Sequence, residues 1–92
     1  MDELYKLACD FLEDENYKSA KTYFSLGISY DHNNVLFWKG KAEVSIKLHN
    51  YEEAISAYDR AYEISQEVST LLRCEMAKLA LKEQEKTFSN VN

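Results

Sequence analysis

Apolar residues recur along this chain at every third or fourth position, in five bursts separated by short polar interruptions. Leu4, Leu7, Ala8, Phe11 and Leu12 share one stripe, the i, i+3, i+4, i+7 spacing of an amphipathic helix that ends near Glu13–Glu15. A second helix opens at Asn16, a plausible N-cap, and buries Tyr17, Ala20, Phe24, Gly27 and Ile28. The turn-rich stretch SYDHNN follows. A third helix over 35–48 presents Trp38, Ala42, Ser45 and Ile46, and His49–Asn50 breaks it. Asn50 and Glu53 then have capping-box spacing at the head of a fourth helix, which shows Tyr51, Ala54, Tyr58, Ala61 and Tyr62. The pattern pauses over 65–69. A fifth helix over 69–86 shows Leu72, Met76, Leu79 and Ala80, and residues 87–92 read as a frayed tail.

The same frame is written twice. NYKSAKTYF begins at Asn16 and NYEEAISAY at Asn50, 34 residues later, both reading Asn-Tyr-x-x-Ala-x-x-x-aromatic. Sliding the chain by that period aligns Leu4 with Trp38, Ala8 with Ala42, Tyr17 with Tyr51, Ala20 with Ala54, Phe24 with Tyr58 and Gly27 with Ala61. The aligned pairs keep size rather than charge, the mark of a structural repeat. Antiparallel helices joined by two or three residues cross at about 8–10 Å, and only small side chains fit where their backbones meet. Ala8 with Ala20 and Ala42 with Ala54 suit those crossings. Phe24 and Tyr58 would fill the gap to the next helix pair. Glycine inside a helix costs about 1 kcal/mol relative to alanine, so Gly27, aligned with Ala61, reads as a close-packing position.

Composition narrows the class. Ninety-two residues make one small domain, and with no proline and two glycines the chain is expected to be all-α. The net charge of −5 argues against nucleic acid. It is uneven: residues 1–34 hold seven acids and three bases, 35–68 six and four, 69–92 three and four. The cluster Asp10, Glu13, Asp14 and Glu15 suits either a basic partner or a solvated helix end. No apolar run approaches the roughly 20 residues of a membrane span, and the acidic start lacks the order of a signal peptide. Cys9 and Cys74 form no Cys-x-x-Cys, so reduced thiols and a cytoplasmic location are expected.

These residues resemble the tetratricopeptide repeat, a 34-residue helix-turn-helix unit with the pattern W-x2-L-G-x2-Y, then A-x3-F, then P. The second unit supplies Trp38, Ala42 and Ala54-x3-Tyr58, and the first Leu4, Leu7, Ala8, Phe11 and Ala20-x3-Phe24. The resemblance implies an α-α superhelix of five antiparallel helices in one domain over 1–88. It consists of repeats 1–34 and 35–68 plus a capping helix over 69–86. Three features depart from the family pattern. His32 and Gln66 stand where proline is usual, Lys41 and Ser45 replace leucine and tyrosine, and Met76 occupies the slot of Ala8 and Ala42. A small residue is unnecessary there if no second helix follows.

Family members bind extended peptides or partner helices on a concave surface lined by the first helix of each pair. By that resemblance the groove holds Tyr5, Cys9, Leu12, Lys39, Glu43, Ile46, Arg73 and Ala77, and its partner is an apolar protein segment with a basic residue. Members that grip acidic chaperone tails use lysines, asparagines and an arginine. The matching places here are Tyr5, Cys9, Gly40, Thr70 and Cys74, which offer no such grip. The residues themselves point away from enzyme chemistry. His32 and His49 lie at turns without a neighbouring nucleophile, no metal-ligand spacing exists, and no glycine-rich phosphate loop occurs. No cofactor or metal is expected. The rival reading is a structural subunit that self-assembles: two repeats plus a cap fall short of the roughly three that stack comfortably. Weak self-association through the exposed end is expected with it. The register itself is testable. Ala54→Leu should lower stability by roughly 1–3 kcal/mol through overpacking, read as a shifted denaturant midpoint.

Overall fold

Five helices follow one another in the computed structural model, which describes residues 2–89. They are α1 (Asp2–Glu13), α2 (Tyr17–Tyr30), α3 (Val35–Lys47), α4 (Tyr51–Ser65) and α5 (Val68–Ser89). The protein is all-α. Each helix packs on its neighbours in the chain, and α1 also touches α3. Connections this short make neighbours antiparallel, and the resulting row of helices measures 47 × 29 × 19 Å.

The backbone repeats with the period of the side chains. Glu15 and His49, 34 residues apart, both adopt the left-handed conformation, at φ 59° and 61°. Around them the hydrogen bonds repeat as well: Asn16 N–H to Phe11 O matches Asn50 N–H to Ser45 O, and Glu15 N–H to Leu12 O matches His49 N–H to Ile46 O. These 6→1 and 5→2 bonds make a Schellman motif, in which the left-handed position is usually glycine. Neither turn contains a glycine, so nothing in the residue types announces this shared geometry.

Between the repeats, other groups hold the turns. The Trp38 indole N–H donates to the carbonyl of His32 at 2.7 Å, tying the start of α3 to the turn before it. Asn34 caps α3 through Leu36 N–H. Gln66, at φ 58°, closes α4, and its side chain donates to the Tyr62 and Glu63 carbonyls. Asn16 caps α2 as its sequence suggests, accepting from Ser19 N–H. The capping box of α4 does not form. Asn50 makes no side-chain cap bond, and its own N–H is taken by the Ser45 carbonyl. The Glu53 carboxylate pairs instead with Lys21 of α2 at 2.7 Å and Lys41 of α3 at 3.8 Å. Lys41, out of place in an apolar slot, thereby gains a partner.

The four crossing alanines, Ala8, Ala20, Ala42 and Ala54, are fully buried. The junction between the two helix pairs is closed by Phe24 and Phe37, the largest fully buried side chains. A Cβ on Gly40 would fall within the Phe24 ring, and one on Gly27 within the Phe37 ring. Each phenylalanine therefore occupies space left by a glycine on the facing helix. Sitting between α2 and α4, helix α3 is buried on two sides, so Phe37, Gly40 and Val44 join Ala42 and Ser45 inside.

Two sequence-based faces are corrected. Leu7 is 40% exposed, on a side of α1 that no described helix covers. In α5 the inward residues are Thr70, Cys74 and Ala77, whereas Leu72, Met76 and Leu79 face solvent. Among the described residues α5 packs mainly on α4, and Cys74 takes the place of Gly40 one period on. Helix α5 also runs through Ser89, past the expected end at 86, and residues 90–92 of the expected frayed tail lie outside the described residues.

Alanine is normally the better helix former, yet Gly40→Ala and Gly27→Ala should each lower stability by about 1–3 kcal/mol through overpacking. Phe24→Leu should recover part of the Gly40→Ala loss, seen in urea midpoints. Glu15→Gly should raise stability by about 0.5–1 kcal/mol, because a left-handed L-residue costs roughly 1–2 kcal/mol and glycine forfeits part of that in chain entropy.

Candidate functional site: a groove across three helices

Helices α1, α3 and α5, the first of each pair and the last, share a cleft of about 340 Å3. Helix α1 contributes Tyr5, Cys9 and Leu12, which its i, i+4, i+7 spacing places on one face. Helix α3 adds Lys39 and Glu43, and α5 adds Arg73. Six of the eight residues expected in a groove therefore meet in one cleft. Its floor is built by the junction described above: Phe24 lies over Gly40, and the Tyr5 ring stands edge-on to Phe24 and Phe37 at 6.0 and 5.9 Å between centroids.

The other two residues lie elsewhere. Ile46 and Ala77 border an adjoining hollow of about 310 Å3 with Tyr58, Arg73 and Met76. Ala77 is buried at 2% exposure and offers almost no surface. Leu36 was missed. It is 47% exposed and lines the cleft. Its spacing to Lys39 and Glu43, i, i+3, i+7, carried the signal. Thr70 also borders the cleft, its hydroxyl buried and without a hydrogen-bond partner.

The charges are unequal in availability. Lys39 is held by Glu67 at 3.0 Å, so it is a poor anchor for an acid. Glu43 is exposed and enters no ion pair among the described residues. Two phenols flank it. Burial, aided by Cys9 and the Glu43 carboxylate, pushes the Tyr5 hydroxyl above its ordinary range. Burial does the same for Tyr58, against the opposing pull of Arg73. Both stay protonated near neutrality and are available as donors. The groove thus combines apolar walls, two phenolic hydroxyls, one free carboxylate and one guanidinium.

Other candidates carry less. Among the described residues no group of three His, Cys, Asp or Glu side chains is placed to hold a metal ion. His49 is exposed and shares a 2.9 Å hydrogen bond with the Tyr51 hydroxyl. Tyr23 is stacked on Phe11 at 5.3 Å between centroids, Tyr62 is half-buried and Tyr30 is exposed. No described helix is long and apolar enough to cross a membrane.

Both cysteines are free thiols in different surroundings. Cys9 is half-buried in the groove. Cys74 is fully buried, and its S–H donates to Asp59 Oδ1 at 3.1 Å. Burial, then the Asp59 carboxylate, pushes the Cys74 thiol up to about 11. No protein-family model matches the chain, and no curated protein matches its sequence.

Thiol labelling checks this contrast. At pH 8 a maleimide should modify Cys9 in the folded protein, while Cys74 should react only as fast as the protein unfolds. Because the raised Cys74 value favours the protonated fold, stability should also fall as pH climbs from about 9 toward 11.

Proposed function

We propose that this chain is a helical-repeat module of tetratricopeptide type, which binds an extended peptide or a helix of another protein in the groove across α1, α3 and α5. The observation that carries this reading is the convergence of Tyr5, Cys9, Leu12, Lys39, Glu43 and Arg73, from three separate helices, on one cleft. Half-buried Tyr5 and Leu12 and exposed Leu36 supply apolar area, worth about 25 cal/mol per Å2 when covered. Glu43 at the centre selects a lysine or arginine in the ligand. With Lys39 already paired, Arg73 is the remaining group for an acid or a backbone carbonyl. Rigid first helices meet the ligand without an ordering cost on the protein side.

Short peptides selected from a random library against the immobilised protein test the proposal. The selected peptides should be apolar with at least one basic residue. Leu12→Ala combined with Leu36→Ala should weaken their binding about tenfold, or roughly 1.4 kcal/mol. Glu43→Gln should mainly flatten the salt dependence. Peptides that bind both variants as tightly as the parent protein would remove the groove from consideration and leave the fold untouched.

A further inference from the structure

One face of α5 has nothing on it. Val68, Leu72, Met76 and Leu79 follow at i, i+4, i+8 and i+11, and each is 60–75% exposed. One period earlier, Trp38 and Ala42 lie on the side of α3 that packs against Ala54 of α4. The α5 stripe is therefore the surface that one more antiparallel helix would cover.

The far end of the row does not supply that helix. The positions through which α3 receives α2 are Phe37, Gly40 and Val44. One period before them, α1 carries Glu3, Lys6 and Asp10, all exposed. Head-to-tail stacking would press leucines onto these charges and strip them of water. A two-fold pairing lets the Met76–Leu79 part of the patch meet itself, with the exposed Glu83 of the partner subunit beyond it, opposite Leu72. Met76 also matters, since it replaces the alanine that permits close crossing in each repeat. Its bulk suits knobs-into-holes packing of a coiled coil rather than a close alanine crossing.

The charges beside the stripe fit this arrangement. When two α5 helices run antiparallel with Met76 opposite Leu79 of the partner subunit, Glu75 comes beside Lys82 of the partner subunit. Symmetry repeats both contacts. Glu75 is otherwise engaged only by Lys78 of its own helix, an exposed pair at 3.1 Å. We propose that the chain forms an antiparallel two-fold dimer through α5, with paired Met76–Leu79 layers at its centre and paired Glu75–Lys82 bridges on its flank. The contact adjoins the groove only at Arg73, which shares a hollow with Met76, while Tyr5, Leu12, Leu36 and Glu43 lie on other helices, so the two readings are tested separately.

Sedimentation equilibrium from micromolar to about millimolar concentration tests the dimer. Leu79→Glu, at an exposed position, should raise the dimer dissociation constant at least about tenfold and leave the melting curve of the monomer unchanged. Glu75→Lys should weaken the dimer, and Glu75→Lys combined with Lys82→Glu should restore it to within about threefold. A clean monomer at about millimolar concentration overturns the proposal. So does a dimer indifferent to Leu79→Glu, or a double variant no tighter than Glu75→Lys alone.

Discussion

The reciprocal fit of Phe24 over Gly40 and Phe37 over Gly27 sets the geometry on which the rest of this protein depends. Two helical hairpins could meet at many angles. With a ring lodged in each glycine gap, α2 and α3 approach closely in one register, and interiors packed to native density do not slide. The same contact roofs the groove floor, since Phe24 and Gly40 line the cleft and Tyr5 leans edge-on against both rings. Positioning of the groove and cohesion of the two repeats are one interaction.

Polar side chains refine what that contact begins. Glu53 reaches both α2 and α3, so its carboxylate ties the head of α4 to the preceding pair. The pair with Lys21 is about one-third exposed, and its contribution to stability is correspondingly modest. Its value lies in orientation. Trp38 performs a comparable task at the α2–α3 turn, where its indole fixes the His32 carbonyl in a connection without proline. Replacing rigid backbone chemistry by a side-chain hydrogen bond leaves the turn dependent on packing of the tryptophan.

The ends of the row differ in kind. Helix α1 shows Glu3, Lys6 and Asp10 outward, a solvated surface, whereas α5 shows leucines and a methionine. Among the aromatic rings, Phe24, Phe37 and Tyr58 are buried, and Tyr5 leans edge-on against the two phenylalanines. The most continuous exposed apolar stretch is Val68, Leu72, Met76 and Leu79 on the last helix, while Leu7, Leu26, Tyr30 and Leu36 are exposed elsewhere. On α5, Arg73 lines the groove and Leu79 the open face, and Met76 borders the hollow between them.

Local periodicity determined the helices, their order and the alanine crossings, because apolar spacing and side-chain size are properties of the chain itself. The groove residues were drawn from a resemblance to a repeat family, and periodicity adds only that Tyr5, Cys9 and Leu12 share a face on any regular helix. What remained hidden depended on neighbours. Gly40 and Phe37 gained meaning only when α2 was laid against α3, and Ala77 left the groove because α4 covers it. Leu72, Met76 and Leu79 have the spacing of a core stripe, yet they are exposed, since α5 has another helix on one side only. The left-handed turns at Glu15 and His49 were equally silent, as residue type marks that conformation only when glycine is present. A stripe records that a face is apolar; which face becomes core is decided by the number of helices that stand beside it.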